Sequence, residues 1–361
     1  MRVLFTVTNE LNYDQRMMRI CDSLVGTGFE VKLIGVKLND SQPLQKKNYH
    51  QKRIRVFSKK GFAFYAEYNF KLFLYLLLQK ADILCCIDLD TMLPVYCVSV
   101  FRGKKRVYDA HEYFSQLKEV VTRSIIYRFW HFIERTFVPK FKNGYTVSEG
   151  IAEEFKCNYG VNYEVIRNVP LLKTLPERHL SRKQILYRGS VNEARGFEIL
   201  IPAMQNVDTQ LIICGEGNFL EKAKELVEQN GVAEKVIFMG SVLPSELERI
   251  TNESYIGVNL VEAVGKSQIL SLANKFFDYI HHAIPQVTMN LPEYKKINAQ
   301  FEIAILIDEL TDSSVSNALN ELLRNKELYD RLRENCLKAR EIYNWQNEEQ
   351  KLIDFYKRLS E

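Results

Sequence analysis

The stretch "ILYRGSVNEARGFEILIPAM" (residues 185–204) has the pattern of a strand, a short polar loop and a helix. The strand is predicted to end at Gly189, the loop carries Arg195, and Gly196 opens the helix. An apolar run followed by a polar turn and a helical segment is typical of a βα unit, the building block of parallel sheets. This unit decides the fold if the same pattern recurs on both sides of it.

Strands and helices do alternate in both directions along the chain. The strand-like runs before it include "RVLFTVT", "EVKLIGV", "IRVFS", "DILCCI" and "KRVYDA", and those after it include "TQLIICGEG", "KVIFMGS", "IGVNLV", "PQVTM" and "IAILI". Repeated βα units favour a parallel sheet covered by helices on both faces, and 361 residues suit two such domains. We therefore predict an α/β protein with two doubly wound, Rossmann-like domains and a cleft between them, at the carboxyl ends of their strands.

The predicted domains are residues 1–168, residues 169–340 and a final helix, 341–361, that crosses back to the first domain. The net charge of +4 is unevenly divided along this chain. Residues 1–170 hold 26 Lys+Arg against 17 Asp+Glu, which is +9, and the remainder hold 23 against 28, which is −5. A basic first half indicates that one domain faces an anionic surface or ligand.

The stretch "LANKFFDYIHHAIP" (residues 272–285) is predicted to be a helix capped at Ser271, with Asn274, Lys275 and Asp278 on one face. A lysine in the first turn opposes the helix dipole at a cost of about 0.3–1 kcal/mol, unless an anion binds there. Together with Arg195 beside a second helix amino terminus, this pattern favours a diphosphate site, with Asp278 placed for ribose hydroxyls. The alternative is an i,i+3 Lys275–Asp278 pair on a solvated face.

The order of these motifs makes a resemblance specific. "Y-x-G…RG…LI.AM", "L-x-I-x-G-x-G", "V-x-F-x-G", "NK-x-F-D-Y…P" and a terminal "W…E…L…Y" helix resemble the glycosyltransferases of family 4, the retaining group with the GT-B fold. In the first half, "VYDAHEYF" and "YTVSEGIAEEF" resemble that family's middle strands. The resemblance implies transfer of a sugar from a nucleotide diphosphate sugar, with no cofactor and no metal.

The resemblance also implies roles for individual residues. Arg195, Lys275 and His111 are the expected catalytic residues: the two cations stabilise the leaving diphosphate, and His111 orients the sugar or phosphate. A purely structural role for His111 remains the alternative. The residues expected at the donor, with Val242 near the base, are Gly189, Ser190, Arg195, Gly215, Glu216, Val242, Asn274, Lys275 and Asp278.

The chain departs from the family pattern at several positions. Leu270 stands where the first glutamate of the E-x(7)-E motif is expected, and Asp278 replaces the second. Ser190 stands where the family commonly has an arginine after the loop glycine, and Arg188, on the strand, is expected to point elsewhere. These departures bear on the donor sugar and on activity itself.

Other signals concern metals, membranes and nucleic acid. Asp88-x-Asp90 has the form of a metal-binding motif, but it lies in the first domain, away from the expected diphosphate, and is interpreted as a loop at the cleft edge. In residues 123–142 aromatic and basic residues interleave, which fits either a helix on anionic lipid or a core helix with a basic face. No nucleic-acid recognition module is present. The apolar run 72–78 is far shorter than the ~18 residues that span a bilayer.

The sequence therefore predicts a retaining glycosyltransferase in bacterial surface polysaccharide synthesis, with a glycan or lipid-linked acceptor. It is expected to be cytoplasmic, or to associate with the inner face of the cell membrane through anionic lipid. One alternative is a sugar-nucleotide epimerase of the same fold, for which Asp109 and Glu112 are the candidate acid and base. The other is a non-catalytic, sugar-nucleotide-binding partner subunit.

Overall fold

The computed structural model describes residues 1–38, 41–58, 60–175 and 182–361. Its contacts divide the chain into two compact units. Unit 1 comprises Met1–Asn168 with Glu348–Glu361, and unit 2 comprises Val169–Asn347. No helix in the described ranges is long and apolar enough to cross a membrane.

Within the described residues, unit 1 is built on a seven-stranded parallel sheet. The strands are β1 (Arg2–Thr6), β2 (Glu30–Lys37), β3 (His50–Arg55), β4 (Ile83–Ile87), β5 (Lys105–Ala110), β6 (Asn143–Thr146) and β7 (Glu164–Val165). Its helices are α1 (Gln15–Gly26), α2 (Gly61–Leu77), α3 (Met92–Phe101), α4 (Lys118–Val121), α5 (Ser124–Phe137) and α6 (Glu149–Tyr159).

Unit 2 contains a six-stranded parallel sheet in the described part of the chain. The helices are α7 (Phe197–Ala203), α8 (Leu220–Gln229), α9 (Pro244–Glu253), α10 (Lys266–Leu270), α11 (Asn274–His281), α12 (Pro292–Phe301), α13 (Asp312–Arg324), α14 (Lys326–Ile342) and α15 (Trp345–Arg358), most of which belongs to unit 1. The strands are β8 (Ile185–Arg188), β9 (Leu211–Cys214), β10 (Val236–Gly240), β11 (Ile256–Asn259), β12 (Gln286–Met289) and β13 (Ala304–Ile307).

The strand order determines which loops lie at the position where such sheets bind ligands. In unit 1 the order is β3-β2-β1-β4-β5-β6-β7, and in unit 2 it is β10-β9-β8-β11-β12-β13. The direction of chain winding therefore reverses beside β1 and again beside β8. Ligands of open parallel sheets bind beyond the carboxyl ends of the strands at such a reversal. In unit 2 that position is occupied by the loop after β8.

The central strands form because their residues are apolar without interruption. β4 ("ILCCI") and β9 ("LIIC") are buried along their whole length. A strand that alternated apolar and polar residues would need one wet face, whereas these runs need helices on both faces. The prediction of two doubly wound α/β domains is thus confirmed.

Two details of the predicted elements are wrong. Ser271 does not cap the helix of the NK motif; it terminates α10, and α11 begins at Asn274 after Ala273, with no side-chain cap. The strand expected at "IRVFS" begins earlier, at His50, because β3 lies at the edge of the sheet, where among the described residues it pairs with β2 alone, and alternates exposed and partly buried residues.

Candidate functional site

Helix α11 is fixed to the sheet of unit 2 by its apolar face. Phe276, Phe277 and Ile280 are buried, as the amphipathic pattern predicts. Between them Tyr279 packs flat against the backbone at Gly257, and its hydroxyl donates a hydrogen bond to the carbonyl of Leu186, at 2.9 Å. These contacts hold the opposite, polar face of α11 at the end of β8.

Lys275 projects from this face to the end of β8. Its Nζ lies 3.5 Å from the centroid of the Tyr187 ring, and its side chain runs past Gly189. The Tyr187 hydroxyl in turn donates to the carbonyl of Ser190, at 2.7 Å. A cation over an aromatic face gains about 0.5–2 kcal/mol. Tyr187 therefore positions the Lys275 ammonium beside the loop that follows β8.

The surroundings of Lys275 have an excess of positive charge. Burial lowers the pKa of Lys275 well below its usual range, and the charges of Arg195 and Arg188 lower it further, against the opposing charge of Asp278. Lys275, Arg195 and Arg188 thus repel one another electrostatically, with Asp278 as the one opposing charge among them. Such a place favours a bound anion, because the anion would relieve the mutual repulsion of the cations.

Asp278 forms its ion pair with Arg188 rather than with Lys275. The Arg188 Nη2 lies 3.3 Å from Asp278 Oδ2, and the Arg188 Nη1 donates to the Thr251 hydroxyl, at 3.1 Å. The expectation that Arg188 points elsewhere is wrong, because the face of β8 on which it lies is the one that α9 and α11 cover. Arg188 therefore adds a cation to the site while holding Asp278 in place.

The loops after β8 and β9 are joined through their backbones. The amide of Val191 donates to the carbonyl of Glu216, and the amide of Phe219 donates to the carbonyl of Val191, both at 2.9 Å. Gly215, with φ of +147°, lies against the carbonyl of Gly189 so closely that a side chain would overlap it. The two predicted donor loops thus behave as one rigid piece.

The remaining predicted donor residues lie around these loops. Gly189, Ser190, Glu216 and Asn274 are exposed. Val242 is half-buried and packs against a small apolar cluster that includes Tyr279. The structure therefore brings the predicted donor residues of unit 2 to the edge of its sheet, on the loops after β8, β9 and β10 and on α11.

His111 lies in unit 1, at the end of β5. Its Nε2 lies 3.0 Å from Asp109 Oδ2, and the other oxygen of Asp109 lies 3.2 Å from the Arg16 guanidinium. Burial alone would raise the pKa of Asp109, but the charges of His111 and Arg16 hold it below its usual value. Burial would also lower the pKa of His111, but the Asp109 carboxylate outweighs it and raises the pKa. The arrangement fixes the ring and favours an imidazolium.

The two aspartates of the Asp88-x-Asp90 motif are bound within unit 1. Asp88 Oδ1 accepts hydrogen bonds from the backbone amides of His111 and Glu112, at 2.9 and 3.3 Å. Asp90 Oδ2 accepts from the Thr8 hydroxyl, at 2.5 Å. Asp88 thus holds the loop that carries His111, which fits the interpretation of this motif as part of a loop edge.

Replacing His111 by glutamine is expected to lower the free energy of unfolding more at about pH 5.5 than at about pH 9, by about 1 kcal/mol, since charged hydrogen bonds are stronger than neutral ones. The folded pKa of His111 is raised above 6.5, so its stabilisation is complete below that value and is lost as the pH rises through the folded pKa. The lowered pKa of Asp109 keeps that carboxylate charged at both pH values. Urea denaturation at the two pH values measures the difference.

The control is the same substitution at His50, which is exposed on β3. His50→Gln is expected to change stability little, because its side chain is exposed. An equal cost of His111→Gln at the two pH values would show that the ring is not charged by Asp109.

Comparison with known proteins indicates the class of protein to which this fold and site belong. Residues 175–339, slightly under half of the chain, match the family model of glycosyl transferases group 1. No curated protein sequence matches the chain.

Solved structures similar to the chain over nearly its full length are glycosyltransferases. Sucrose-phosphate synthase from Thermosynechococcus elongatus has a TM-score of 0.84 at 13% identity, covering 99% of this chain and 98% of that one. WaaG, a glycosyltransferase involved in lipopolysaccharide biosynthesis, has a TM-score of 0.76 at 16% identity, covering 98% of both chains. HepE from Anabaena in complex with UDP-glucose has a TM-score of 0.73 at 11% identity, covering 99% and 100%. These structures show that the chain has the GT-B fold, and the match of residues 175–339 to glycosyl transferases group 1 makes it a glycosyltransferase.

The sequence did not predict the contacts that Tyr187, Arg188 and Arg16 make. A signal for Tyr187 was available: it is the aromatic residue of the Y-x-G pattern, on the strand that leads directly into the loop. Arg16 lies in the D-x-R pattern of "YDQRMMRI", which resembles the same family, but its pairing with Asp109 had no signal, because the two residues are 93 positions apart.

Proposed function

We propose that this protein transfers a sugar, with retention of anomeric configuration, from a nucleoside diphosphate sugar to a glycan or lipid-linked acceptor. The observation that carries this proposal is the group of cations around Lys275, with Arg195 and Arg188, inside the matched glycosyltransferase domain. HepE, a structural neighbour, is described in complexes with UDP and with UDP-glucose. That description supports a nucleotide-sugar donor here.

The chemistry required is the departure of a diphosphate. The bond from the anomeric carbon to the diphosphate oxygen breaks and its electron pair goes to that oxygen, while the acceptor hydroxyl forms the new bond on the same face and gives its proton to the departing diphosphate. Lys275, already held over the Tyr187 ring, would stabilise the growing negative charge without reorganising, and Arg195, whose charge acts on Lys275, would add to this stabilisation. The side-chain cations, rather than the dipole of α7, would supply this stabilisation, because α7 has only seven residues and its dipole is small.

Two further residues are assigned by the same proposal. Asp278, held by Arg188, would accept hydrogen bonds from the ribose hydroxyls. His111, held by Asp109, would orient the donor sugar or phosphate as an imidazolium or a hydrogen-bond donor, which does not suit a general base. No metal is needed in this proposal, because the cations supply the charge that a metal would otherwise supply.

The proposed place of action is assembly of a bacterial surface polysaccharide at the inner face of the cell membrane. The neighbour WaaG is described as acting in lipopolysaccharide biosynthesis, and the basic first half of this chain suits an anionic membrane. A lipid-linked acceptor would be presented at that surface.

The epimerase alternative is disfavoured by the surroundings of Asp109. An epimerase needs a carboxylate free to exchange a proton with the sugar or a neighbouring group. Asp109 is fully buried, and its two oxygens are bound by Arg16 and His111. Its lowered pKa keeps it ionised, so it would be a poor acid.

The proposal is tested by incubating the protein with UDP-, GDP- and ADP-sugars in turn, with and without a lipid-linked acceptor. Release of nucleoside diphosphate, increased by acceptor, is the expected result. An epimerised donor without nucleotide release would favour the epimerase. Nucleotide binding without turnover would favour the non-catalytic partner subunit.

A further inference from the structure

The outer face of α2 exposes a row of large apolar side chains. Phe70, Leu74 and the C-cap residue Leu78 follow one another every four residues along this face, and Phe62 is exposed in the first turn; Phe70 and Leu78 are 65% and 84% exposed. The opposite face is also apolar, with Tyr68 and others buried. A surface helix in water normally has a polar outer face, so this arrangement needs a different solvent or a partner.

The row continues onto α5. The rings of Phe62 and Phe129 meet edge to face with centroids 5.8 Å apart. Beside Phe129, α5 also exposes Ile125 and Phe132, the first of them by 82%. Single exposed apolar residues are ordinary, but a connected series on two helices is typical of a docking surface. We call these residues the apolar ridge: Phe62, Phe70, Leu74, Leu78, Ile125, Phe129 and Phe132.

The exposed charged residues of α5, and the residue directly before it, are positive. Arg123 directly precedes α5, and Arg128 and Arg135 lie on it; all three are exposed. The one acidic residue of α5, Glu134, is fully buried and accepts a hydrogen bond from Tyr159.

Helix α2 adds no net negative charge. Glu67 pairs with Lys71 at 2.6 Å, and the exposed Lys60 and Lys80 flank the two ends of the helix. Apolar residues rimmed by cations complement a layer of acyl chains under anionic headgroups. A second copy of this surface would set arginine against arginine, which opposes self-association.

We infer that the apolar ridge of α2 and α5, with Arg123, Arg128 and Arg135, is a docking surface for an anionic lipid bilayer. The ridge would enter the boundary between headgroups and acyl chains, and the arginines would contact lipid phosphates. This inference rests on the proposed function, because membrane docking would serve transfer to a lipid-linked acceptor. The surface would bring unit 1 to the membrane in which such an acceptor lies.

The test is co-sedimentation of the full chain with vesicles of phosphatidylcholine, alone or with about one third phosphatidylglycerol. The unmodified protein is expected to bind the anionic vesicles. The variant Phe70→Glu with Leu74→Glu should reduce that binding at least tenfold, and Arg128→Glu with Arg135→Glu should reduce it by a similar factor, since each cation contributes about fivefold. The matched control is Ile342→Glu, an exposed apolar residue of unit 2, which should bind as before.

Two outcomes would overturn the inference. One is the absence of binding to anionic vesicles by the unmodified protein. If the Phe70→Glu and Leu74→Glu variant then changes the oligomeric state, the ridge is a contact surface for a second copy of the chain. The other is equal binding by all variants. Nucleotide affinity, measured on the same variants by calorimetry, is expected to stay unchanged, so a failure of membrane docking is distinguishable from a failure of the donor site.

Discussion

Replacing Arg195 and Lys275 together by alanine is expected to weaken nucleoside diphosphate binding by at least about 100-fold and to abolish sugar transfer, while the protein stays folded. Each charged hydrogen bond to a diphosphate contributes about 1.5–3 kcal/mol, so the loss of two corresponds to about 10²–10⁴-fold. The fold should persist because burial makes the Lys275 ammonium unfavourable in the free protein, so its removal relieves repulsion. Isothermal titration calorimetry and circular dichroism measure the two effects.

The matched control removes two other cations from unit 2. Lys224 and Arg331 are exposed and pair with Glu221 and Glu302, at 2.8 and 3.0 Å. Surface pairs of this kind contribute little to stability. The control variant Lys224→Ala with Arg331→Ala lowers the net charge equally, so it should keep its nucleotide affinity. An unchanged affinity in the Arg195 and Lys275 variant would rule out the proposed diphosphate site.

Proton uptake provides an independent measure of the same site. The pKa of Lys275 is lowered in the free protein, and a bound diphosphate would raise it. Binding should therefore take up a proton over the pH range between the two values, and nucleotide affinity should fall as pH rises through that range. Calorimetry in buffers of different ionisation enthalpy detects the proton, and the signal should vanish in Lys275→Ala. Tyr187→Leu, which removes the ring under the ammonium, should shift the pH dependence.

The features that the sequence predicted well are those determined by local pattern. The two faces of α11 follow from its periodicity, because Phe276 and Ile280 must be buried and Lys275 and Asp278 then lie opposite. The loop from Gly189 to Arg195 follows from turn chemistry after an apolar run. In both cases the residues that decide the structure lie within one or two helical turns of each other.

The features that it missed depend on contacts between distant segments. The direction of Arg188 depends on which helix covers that face of β8, and its partner Asp278 is 90 positions further along. The pairing of Arg16 with Asp109 joins α1 to β5 across the sheet of unit 1. The sequence does not reveal that Ser271 ends α10, because this helix has only five residues and therefore no strong periodic signal.

Replacing Gly215 by alanine is expected to destabilise unit 2 by about 2–4 kcal/mol and to abolish donor binding. Its φ of +147° lies in a region that residues with a side chain rarely adopt, and a Cβ there would overlap the carbonyl oxygen of Gly189. The overlapped atom belongs to the backbone, which cannot rotate away as a side chain would. The loop after β8 would therefore have to move, and Ser190 and Arg195 would move with it. Urea denaturation and nucleotide titration measure the two losses.

Gly231→Ala is the matched control, since Gly231 has φ of +62° but open space around its Cα. Alanine there has backbone strain without overlap, so a loss of about 1 kcal/mol and an unchanged nucleotide affinity are expected. The difference between the two variants isolates the contact between the loops after β8 and β9. If Gly215→Ala bound nucleotide like the control, those loops would not act as one rigid piece, and the diphosphate site would depend on Lys275 and Arg195 alone. If it lost binding while keeping its stability, the amide geometry of the loop itself would be the part that the diphosphate recognises.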